Sequence, residues 1–207
     1  MKVKIPCHCG NIFEFEYDEE TEITPETADE IIHGRFMNTV CDKCGITLKP
    51  EFPVMFSYPD PAMKIFFVPE LQRDAFLREV SPFLARKADR FVIGFQELAE
   101  KIKILEAGLD DISVECVKYY ILSKIENDNE TEDEIRIFFE KHENEKLMFS
   151  IHGLKKDEIG ILSVDMNFYN MAKEKAKTSI KEEPFKSFLT PPYISILKIY
   201  REYNKSE

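Results

Sequence analysis

Residues 7–10 read Cys-His-Cys-Gly and residues 41–45 read Cys-Asp-Lys-Cys-Gly, so two cysteine pairs, each followed by a glycine, are separated by 31 residues. Thiolates are soft donors that suit Zn²⁺, and four of them fill its tetrahedral shell. A glycine after each pair permits a positive φ, which lets the chain turn back around an ion. The pattern therefore predicts a structural zinc site built by Cys7, Cys9, Cys41 and Cys44.

The first cysteine pair is one residue shorter than the usual C-x-x-C of zinc sites. This spacing leaves open that His8 or His33 replaces a cysteine as ligand, although His8 stands between two ligands and is expected to point outward. It also leaves open that the four thiols are unrelated and simply buried, an interpretation that paired Cys-Gly turns make less favoured. The fifth cysteine, Cys116, falls on the apolar side of a predicted helix, where a free thiol packs as a small hydrophobic group.

The spacing of apolar residues predicts the secondary structure outward from the cysteines. Apolar and acidic residues alternate over Asn11–Tyr17, which predicts a half-buried strand with Phe13, Phe15 and Tyr17 on one face. Further strands are predicted over Ile46–Phe56, where prolines favour an edge position, and over Met63–Val68, Arg90–Ile93, Glu134–Glu140, Leu147–Ile151 and Ile159–Met166. Helices are predicted from Thr24-Pro25 to Gly34, over Gln96–Ala107, from Asp110 or Asp111 to about Ile125, and over Phe168–Lys177 and Tyr193–Tyr203.

These elements predict an α+β protein with two parts. Residues 1–126 form the first domain, in which a zinc-ribbon-like β module over about 1–69 is followed by a packed helical segment over about 70–126. The polar, acidic stretch 127–133 is the predicted linker. Residues 134–207 form a smaller α+β unit.

The acidic charge of the chain bears on its partners and location. The formal net charge is −11, and the first 60 residues hold 12 acidic and 5 basic residues. Since nucleic-acid binding rests on Lys and Arg, this balance predicts another protein, rather than nucleic acid, as the partner.

No run approaches the ~18 apolar residues of a membrane span, and no apolar segment precedes Cys7 as in a signal peptide. We expect a cytoplasmic protein, in a reducing compartment where clustered cysteines bind metal; the oligomeric state stays open.

Several stretches together resemble the CpXC domain family of bacterial proteins over roughly residues 3–126. They are the two cysteine turns, the proline-rich strands after them, and the run LAEKIKILEAGLDDISVECVKYYIL at 98–122. The family is named for a Cys-Pro-x-Cys motif, whereas this chain has Cys7-His8-Cys9 at that place. The resemblance implies a zinc-ribbon-like module joined to a helical segment, with no assigned biochemical activity.

The four cysteines are also similar to the zinc centre of the redox-regulated bacterial holdase chaperones, which combine C-x-C with C-x-x-C. The similarity covers the cysteines alone. It implies that a C-x-C pair can ligate zinc, and it raises an alternative function. In that alternative the protein is a redox-sensing zinc switch, in which the Cys7/Cys9 and Cys41/Cys44 thiols pair on oxidation and release the metal.

The sequence carries no phosphate-loop, dinucleotide-binding, zinc-protease or nucleophile-elbow motif, and four cysteines leave no open position on a zinc ion. The Asp110-Asp111 pair could serve acid–base chemistry, but its place after Gly108 is more typical of a helix N-cap. Our preferred hypothesis is a non-catalytic protein-interaction module with a structural four-cysteine zinc site. An enzyme of unrecognised type, using a pocket in the C-terminal unit, is the second alternative.

Overall fold

The computed structural model of the 207-residue chain describes residues 1–79, 83, 86–128 and 135–199. The fold is α+β, as predicted, with an N-terminal β module, helices, and a C-terminal three-stranded sheet with helices. The chain forms two compact units, Met1–Ala99 and Glu100–Glu207. Of the predicted linker, residues 127 and 128 end a helix, and residues 129–133 lie outside the described part of the chain.

Two short hairpins carry the cysteine pairs in the first unit. Strands β1 (Lys2–Pro6) and β2 (Ile12–Glu16) pair antiparallel, and β4 (Thr39–Val40) pairs antiparallel with β5 (Thr47–Leu48). On β2 and just after it, the aromatic side chains are half-buried and the glutamates are exposed, as the alternation predicted. Tyr17 stacks on Phe52 with ring centroids 4.6 Å apart, which covers the buried face of the first hairpin.

Helix α1 (Pro25–Ile32) begins and ends at the predicted residues. The Thr24 hydroxyl accepts a hydrogen bond from the Thr27 amide at 3.2 Å, and Pro25 occupies the first turn, where its missing N–H costs nothing. Gly34 adopts a positive φ of 68° just beyond the helix, so it can reverse the chain without a Cβ clash.

A four-stranded mixed sheet forms the core of the first unit, in the order β3-β6-β7-β8. Its strands are β3 (Glu20–Glu22), β6 (Val54–Tyr58), β7 (Met63–Val68) and β8 (Arg90–Ile93). The predicted edge position of Ile46–Phe56 is wrong for β6, which lies between two strands. Pro50 and Pro53 precede the strand and take no part in its ladder, so they do not restrict β6 to an edge. Among the described residues, β7 is followed by a 3₁₀ turn (Glu70–Gln72) and helix α2 (Arg73–Arg78), and β8 is followed by helix α3 (Gly94–Glu106). The boundary between the two units falls within α3.

The second unit packs helices on a three-stranded antiparallel sheet of order β11-β10-β9. The strands are β9 (Arg136–Glu143), β10 (Lys146–Lys155) and β11 (Glu158–Asp165), and the helices are α4 (Asp111–Asp128), α5 (Met166–Ser179) and α6 (Phe185–Leu189). Helix α6 was not predicted. Residues 193–196 are not helical, so the start of the predicted helix Tyr193–Tyr203 is wrong, and residues 200–203 lie outside the described part. Tyr193, Ile194 and Ile196 are buried nonetheless, because an irregular segment can bury apolar side chains as a helix does.

A group of charged side chains is buried inside the second unit. Lys118 Nζ lies 2.6 Å from Glu115 Oε1 and 3.0 Å from both carboxylate oxygens of Glu100. The Phe139 amide donates to Glu100 at 2.6 Å, and the Ile196 amide donates to Glu115 at 2.8 Å. Each carboxylate thus has a cation and a backbone donor, which is the condition for burying charge without large loss of stability.

In the residues that the structure describes, no helix combines the length and apolar composition needed to cross a bilayer.

Candidate metal centre

The turn between β1 and β2 holds Cys7 and Cys9. The Cys7 amide donates to the Asn11 carbonyl at 2.8 Å, and the Gly10 amide donates to the Cys7 carbonyl at 2.9 Å. Gly10 has a φ of +81°, a conformation that L side chains rarely adopt. The glycine therefore closes a turn tight enough to bring both thiols of the short C-x-C pair to the same end of the hairpin.

The turn between β4 and β5 repeats this design for the second pair. The Cys41 amide donates to the Ile46 carbonyl, and the Gly45 amide donates to the Cys41 carbonyl, both at 2.9 Å. Gly45 has a φ of +73°. Cys41 and Cys44 consequently lie at the tip of the second hairpin, as Cys7 and Cys9 do in the first.

The two tips meet, and the four sulfur atoms all lie within 4.8 Å of one another. Cys7 Sγ is 3.5 Å from Cys44 Sγ, and Cys9 Sγ is 3.7 Å from Cys41 Sγ. A tetrahedral ion with metal–sulfur bonds of about 2.3 Å requires sulfurs about 3.8 Å apart, whereas a disulfide requires about 2.05 Å. The structure thus brings together the four predicted cysteines as free thiols, at a spacing that suits a metal ion.

Hydrogen bonds and burial set the charge of the thiols. Burial raises the pKa of Cys41, but the backbone amides of Cys44 and Lys43 and the Asn11 side chain outweigh it and lower this pKa to about 6. In each of the other three thiols a backbone hydrogen bond lowers the pKa, while burial and neighbouring thiols raise it more. The cluster therefore combines one readily ionised sulfur with three that keep their protons more strongly in the absence of a cation.

Asn11 is a residue of this centre that sequence reasoning missed. Its Nδ2 donates to Cys41 Sγ at 3.6 Å and to Asp42 Oδ1 at 2.5 Å, so a residue of the first hairpin holds the tip of the second. The sequence feature that could have indicated this role is a polar residue placed between the turn glycine Gly10 and the strand that starts at Ile12.

The histidines considered as alternative ligands do not join the sulfur cluster. His8 is exposed, as expected for a residue between two ligands. His33 lies at the end of α1 with its Nδ1 2.9 Å from an Asp29 carboxylate oxygen. The donor set at the two tips is therefore four thiols, which are soft ligands and would close a tetrahedral shell.

Three apolar side chains next to the cysteine turns are open to solvent. Ile12 is 64% exposed, Val40 is 58% exposed and Ile46 is 48% exposed. Each stands within three residues of a cysteine of the cluster. We call this set the tip face; its members belong to the two hairpins that carry the cysteines, and each is open to solvent.

The remaining sequence candidates lie outside this centre. Cys116 is fully buried in the core of the second unit, and burial raises its pKa to about 11, so the prediction of a packing role is confirmed. The Asp110 carboxylate accepts hydrogen bonds from the amide and the hydroxyl of Ser113, which confirms the N-cap interpretation. Asp111 is buried and pairs with Lys101 at 2.5 Å, so the two carboxylates do not act as a pair.

Comparisons with known proteins identify the family of the chain. Residues 5–118 match the family model described as CpXC protein. An uncharacterized protein of Treponema pallidum (strain Nichols) is 23% identical over 221 residues, covering 97% of this chain and 99% of that protein. No solved structure matches. Since the family model covers more than half of the residues and includes both cysteine turns, the chain belongs to the CpXC protein family.

Proposed function

We propose that Cys7, Cys9, Cys41 and Cys44 bind one Zn²⁺ ion and that this site is structural. The observation that carries the proposal is that the four sulfurs all lie within 4.8 Å of one another, with 3.5 Å between Cys7 and Cys44 and 3.7 Å between Cys9 and Cys41. Four thiolates suit zinc and leave no position for a substrate or a catalytic water. The site holds together two hairpins, one of which pairs only two residues from each strand. Hairpins of that size do not persist alone, so the metal stabilises what a small core cannot.

The same centre presents the tip face, and we propose that this face binds another protein. Ile12, Val40 and Ile46 are exposed around the ligands, and apolar side chains grouped on a rigid support are typical of a contact surface. In this role the metal is not a reagent. It fixes the two hairpin tips, so that Ile12 of the first hairpin and Val40 and Ile46 of the second keep fixed positions around the ligands.

The metal assignment is tested by the zinc content of full-length protein purified under reducing conditions. We expect one zinc per chain in the wild type and less than about a tenth of that in Cys7→Ser and Cys41→Ser. The matched control is Cys116→Ala, which removes a thiol outside the cluster and is expected to keep the metal. A different bound metal, or zinc retained in both serine variants, would refute the assignment.

The docking role is tested separately by photo-crosslinking in cells. A photo-reactive residue is placed at Ile46, and a control is placed at Leu71, which is also exposed but lies outside the tip face. We expect a discrete protein adduct at position 46 that is lost when Ile12→Ser and Val40→Ser are added with the zinc content unchanged. Identical adducts at positions 46 and 71 would show that the tip face has no partner of its own.

The redox switch is a second candidate because the ligands are partly accessible. Cys44 is exposed and Cys9 is half-buried, so an oxidant can reach the cluster. Sulfur contacts of 3.5 Å between Cys7 and Cys44 and of 3.7 Å between Cys9 and Cys41 cross from one hairpin to the other, which favours a different pairing from the Cys7/Cys9 and Cys41/Cys44 pairing that the sequence suggested. Oxidation from this arrangement would therefore form those two disulfides. In each, hydrogen peroxide takes two electrons from two thiolates and is reduced to water.

A peroxide titration distinguishes the switch from a purely structural site. For the switch, we expect zinc release with two equivalents of peroxide, and tandem mass spectrometry should identify Cys7–Cys44 and Cys9–Cys41 disulfides. Zinc that stays bound through the titration would reject the switch and leave the structural site intact.

A further inference from the structure

The buried charged side chains of the second unit include two carboxylates that face one ammonium. Glu100, Glu115 and Lys118 are 6%, 4% and 3% exposed, and Lys118 forms an ion pair with each glutamate. A second buried ion pair of this unit, Lys101 with Asp111, has one cation for one carboxylate. If both glutamates were ionised, the group around Lys118 would therefore hold a surplus negative charge away from water, which is costly.

The hydrogen bonds of this group hold the two carboxylates near each other. Lys118 Nζ lies 2.6 Å from Glu115 Oε1 and 3.0 Å from each carboxylate oxygen of Glu100. The Phe139 amide donates to Glu100 at 2.6 Å, and the Ile196 amide donates to Glu115 at 2.8 Å. Because both carboxylates bind the same nitrogen atom, they cannot move apart without losing it. Two like charges held in this way disfavour the state in which both are ionised.

Neighbouring charged groups on the surrounding elements have contacts of their own. Lys101 of helix α3 pairs with Asp111 at the start of α4, and Lys103 of α3 pairs with Glu140 of β9. In the segment after α6, Lys198 donates to a backbone carbonyl. These contacts leave the surplus charge around Lys118 as it is, because each pair that they form between side chains is itself neutral.

Burial and charge act on the proton affinity of Glu100 in the direction that this surplus requires. Burial raises the pKa of Glu100, the attraction of Lys118 opposes the rise and the repulsion of Glu115 adds to it, which leaves this pKa at about 7. Burial lowers the pKa of Lys118, but the two carboxylates outweigh burial and raise it. The group that changes charge near neutral pH is therefore a carboxylate and not the lysine.

We propose that Glu100 and Glu115 share one proton at neutral pH, and that the loss of this buried proton makes the second unit open more readily as pH rises. The proton comes from water and bonds to a carboxylate oxygen, which makes the group with Lys118 neutral. It belongs to the pair of glutamates rather than to one of them, because the charge of each carboxylate changes the proton affinity of the other. Its loss restores the buried negative charge at a place where α3, α4, β9 and the segment after α6 meet.

Carbon-13 NMR of the glutamate side-chain carboxyls in the full chain tests the proposal directly. We expect one glutamate to titrate between about pH 6 and 8, far above the ordinary value of 4.5 for this side chain. The measurement uses the wild-type chain, so it does not depend on a variant folding. A titration in which every glutamate carboxyl is already ionised at about pH 6 overturns the proposal.

Two glutamine substitutions distinguish a shared proton from the burial of a single carboxyl. Glu100→Gln and Glu115→Gln each leave one carboxylate facing Lys118, which is a balanced pair. The titration near neutral pH should therefore disappear in both variants, with the remaining glutamate shifted down by about two pH units or more. Glu140→Gln removes a carboxylate of β9 that pairs with Lys103, and it is expected to leave the titration unchanged. A titration near pH 7 that persists in Glu115→Gln overturns the sharing of the proton.

Hydrogen exchange of the wild-type chain measures the response of the fold to this proton. The amides of Phe139 and Ile196 donate to the two carboxylates, so they report opening at the site. Between about pH 6 and 8 we expect their exchange to rise more steeply than hydroxide catalysis alone produces. Amides of β7 in the first unit are the internal reference and should follow hydroxide catalysis. Equal pH dependence at the two sites overturns the proposed pH response.

Discussion

A side chain that would not itself bind the metal connects the two halves of the candidate centre. Asn11 donates to the Cys41 sulfur at 3.6 Å and to the Asp42 carboxylate at 2.5 Å. Hydrogen bonds from such neighbours orient a ligand and stabilise its thiolate form. Because the Asn11 backbone carbonyl also accepts from the Cys7 amide, one residue contacts both cysteine turns.

Replacing Asn11 by alanine should weaken zinc binding by about 10- to 100-fold, since that is the usual effect of removing a hydrogen-bonding neighbour of a ligand. The measurement is competition against a chelator of known affinity. Asn38→Ala is the matched control, because Asn38 is exposed and its side chain lies outside the cluster. Equal affinities in the two variants would show that Asn11 does not support the centre.

Among the secondary-structure elements, helix α4 is unusual in burying charge in its middle. Glu115 and Lys118 stand one turn apart, and Glu100 from helix α3 completes the group around the Lys118 ammonium. The carboxylates accept from backbone amides of β9 and of the segment after α6. The group therefore links four parts of the second unit through one lysine.

Lys118→Met should lower the free energy of unfolding by about 3–5 kcal/mol, because it leaves two buried carboxylates without a cation. Lys124→Met on the exposed side of the same helix should change it by no more than about 0.5 kcal/mol. Urea unfolding of the full chain, monitored through hydrogen exchange of the α4 amides, measures the free energy of unfolding of both variants. Adding Glu100→Gln and Glu115→Gln to Lys118→Met should restore part of the loss; no recovery would mean that packing of the lysine stem, not charge, sets the cost.

The pH dependence of the second unit should follow Glu100. Burial raises the pKa of Glu100 from its ordinary 4.5 to about 7, against the attraction of Lys118 and with added repulsion from Glu115. The folded state thus holds the proton more tightly than the unfolded state does. This contribution to stability is complete below pH 4.5 and is lost as pH rises toward 7. In Glu100→Gln, the urea midpoint of the second unit should fall less between pH 5 and 8 than in the wild type. An equal fall in both proteins would show that a group other than Glu100 causes the pH dependence.

At the scale of the molecule, the candidate metal centre and the apolar core that contains Cys116 lie in different units. All four sulfurs belong to Met1–Ala99, and the cluster around Ile104, Phe149 and Phe188 belongs to Glu100–Glu207. The first unit contains, besides its four-stranded sheet, two hairpins that the candidate site joins, whereas the sheet and helices of the second unit contain none of the four cysteines. The two units therefore depend on the metal to different degrees.

Removing the metal with a strong chelator should unfold the hairpins and leave the second unit folded. Hydrogen exchange should show loss of protection over residues 1–16 and 39–48, with residues 135–165 unchanged, because metal binding supplies folding free energy only where its ligands lie. A control with the zinc-saturated chelator should change neither region. Simultaneous loss of protection in both units would contradict this separation.

Local patterns were enough for much of the fold. Alternation identified β2, and apolar runs identified β7 and β8 at their observed bounds. Thr24-Pro25 and Gly34 predicted the two ends of α1, because each of them acts on backbone groups only a few residues away. Such patterns did not locate the irregular segment 193–196, since its burial depends on distant partners rather than on its own periodicity.

The sequence by itself was enough to predict the cluster of four cysteines, the turns that Gly10 and Gly45 close, and the family. Residue spacing and turn chemistry act over a few residues, so they can be recognised without the tertiary structure. Only the tertiary structure decided which sulfurs are neighbours, that Asn11 contacts Cys41, and that Glu100 and Lys118 meet in a core. It also decided that β11 is an edge, because the position of a strand in a sheet depends on which segments pair with it. The side-chain contacts among them join residues 18 to 37 positions apart in the sequence. At such separations the packing of the chain, and not local conformational preference, sets the distance between two side chains.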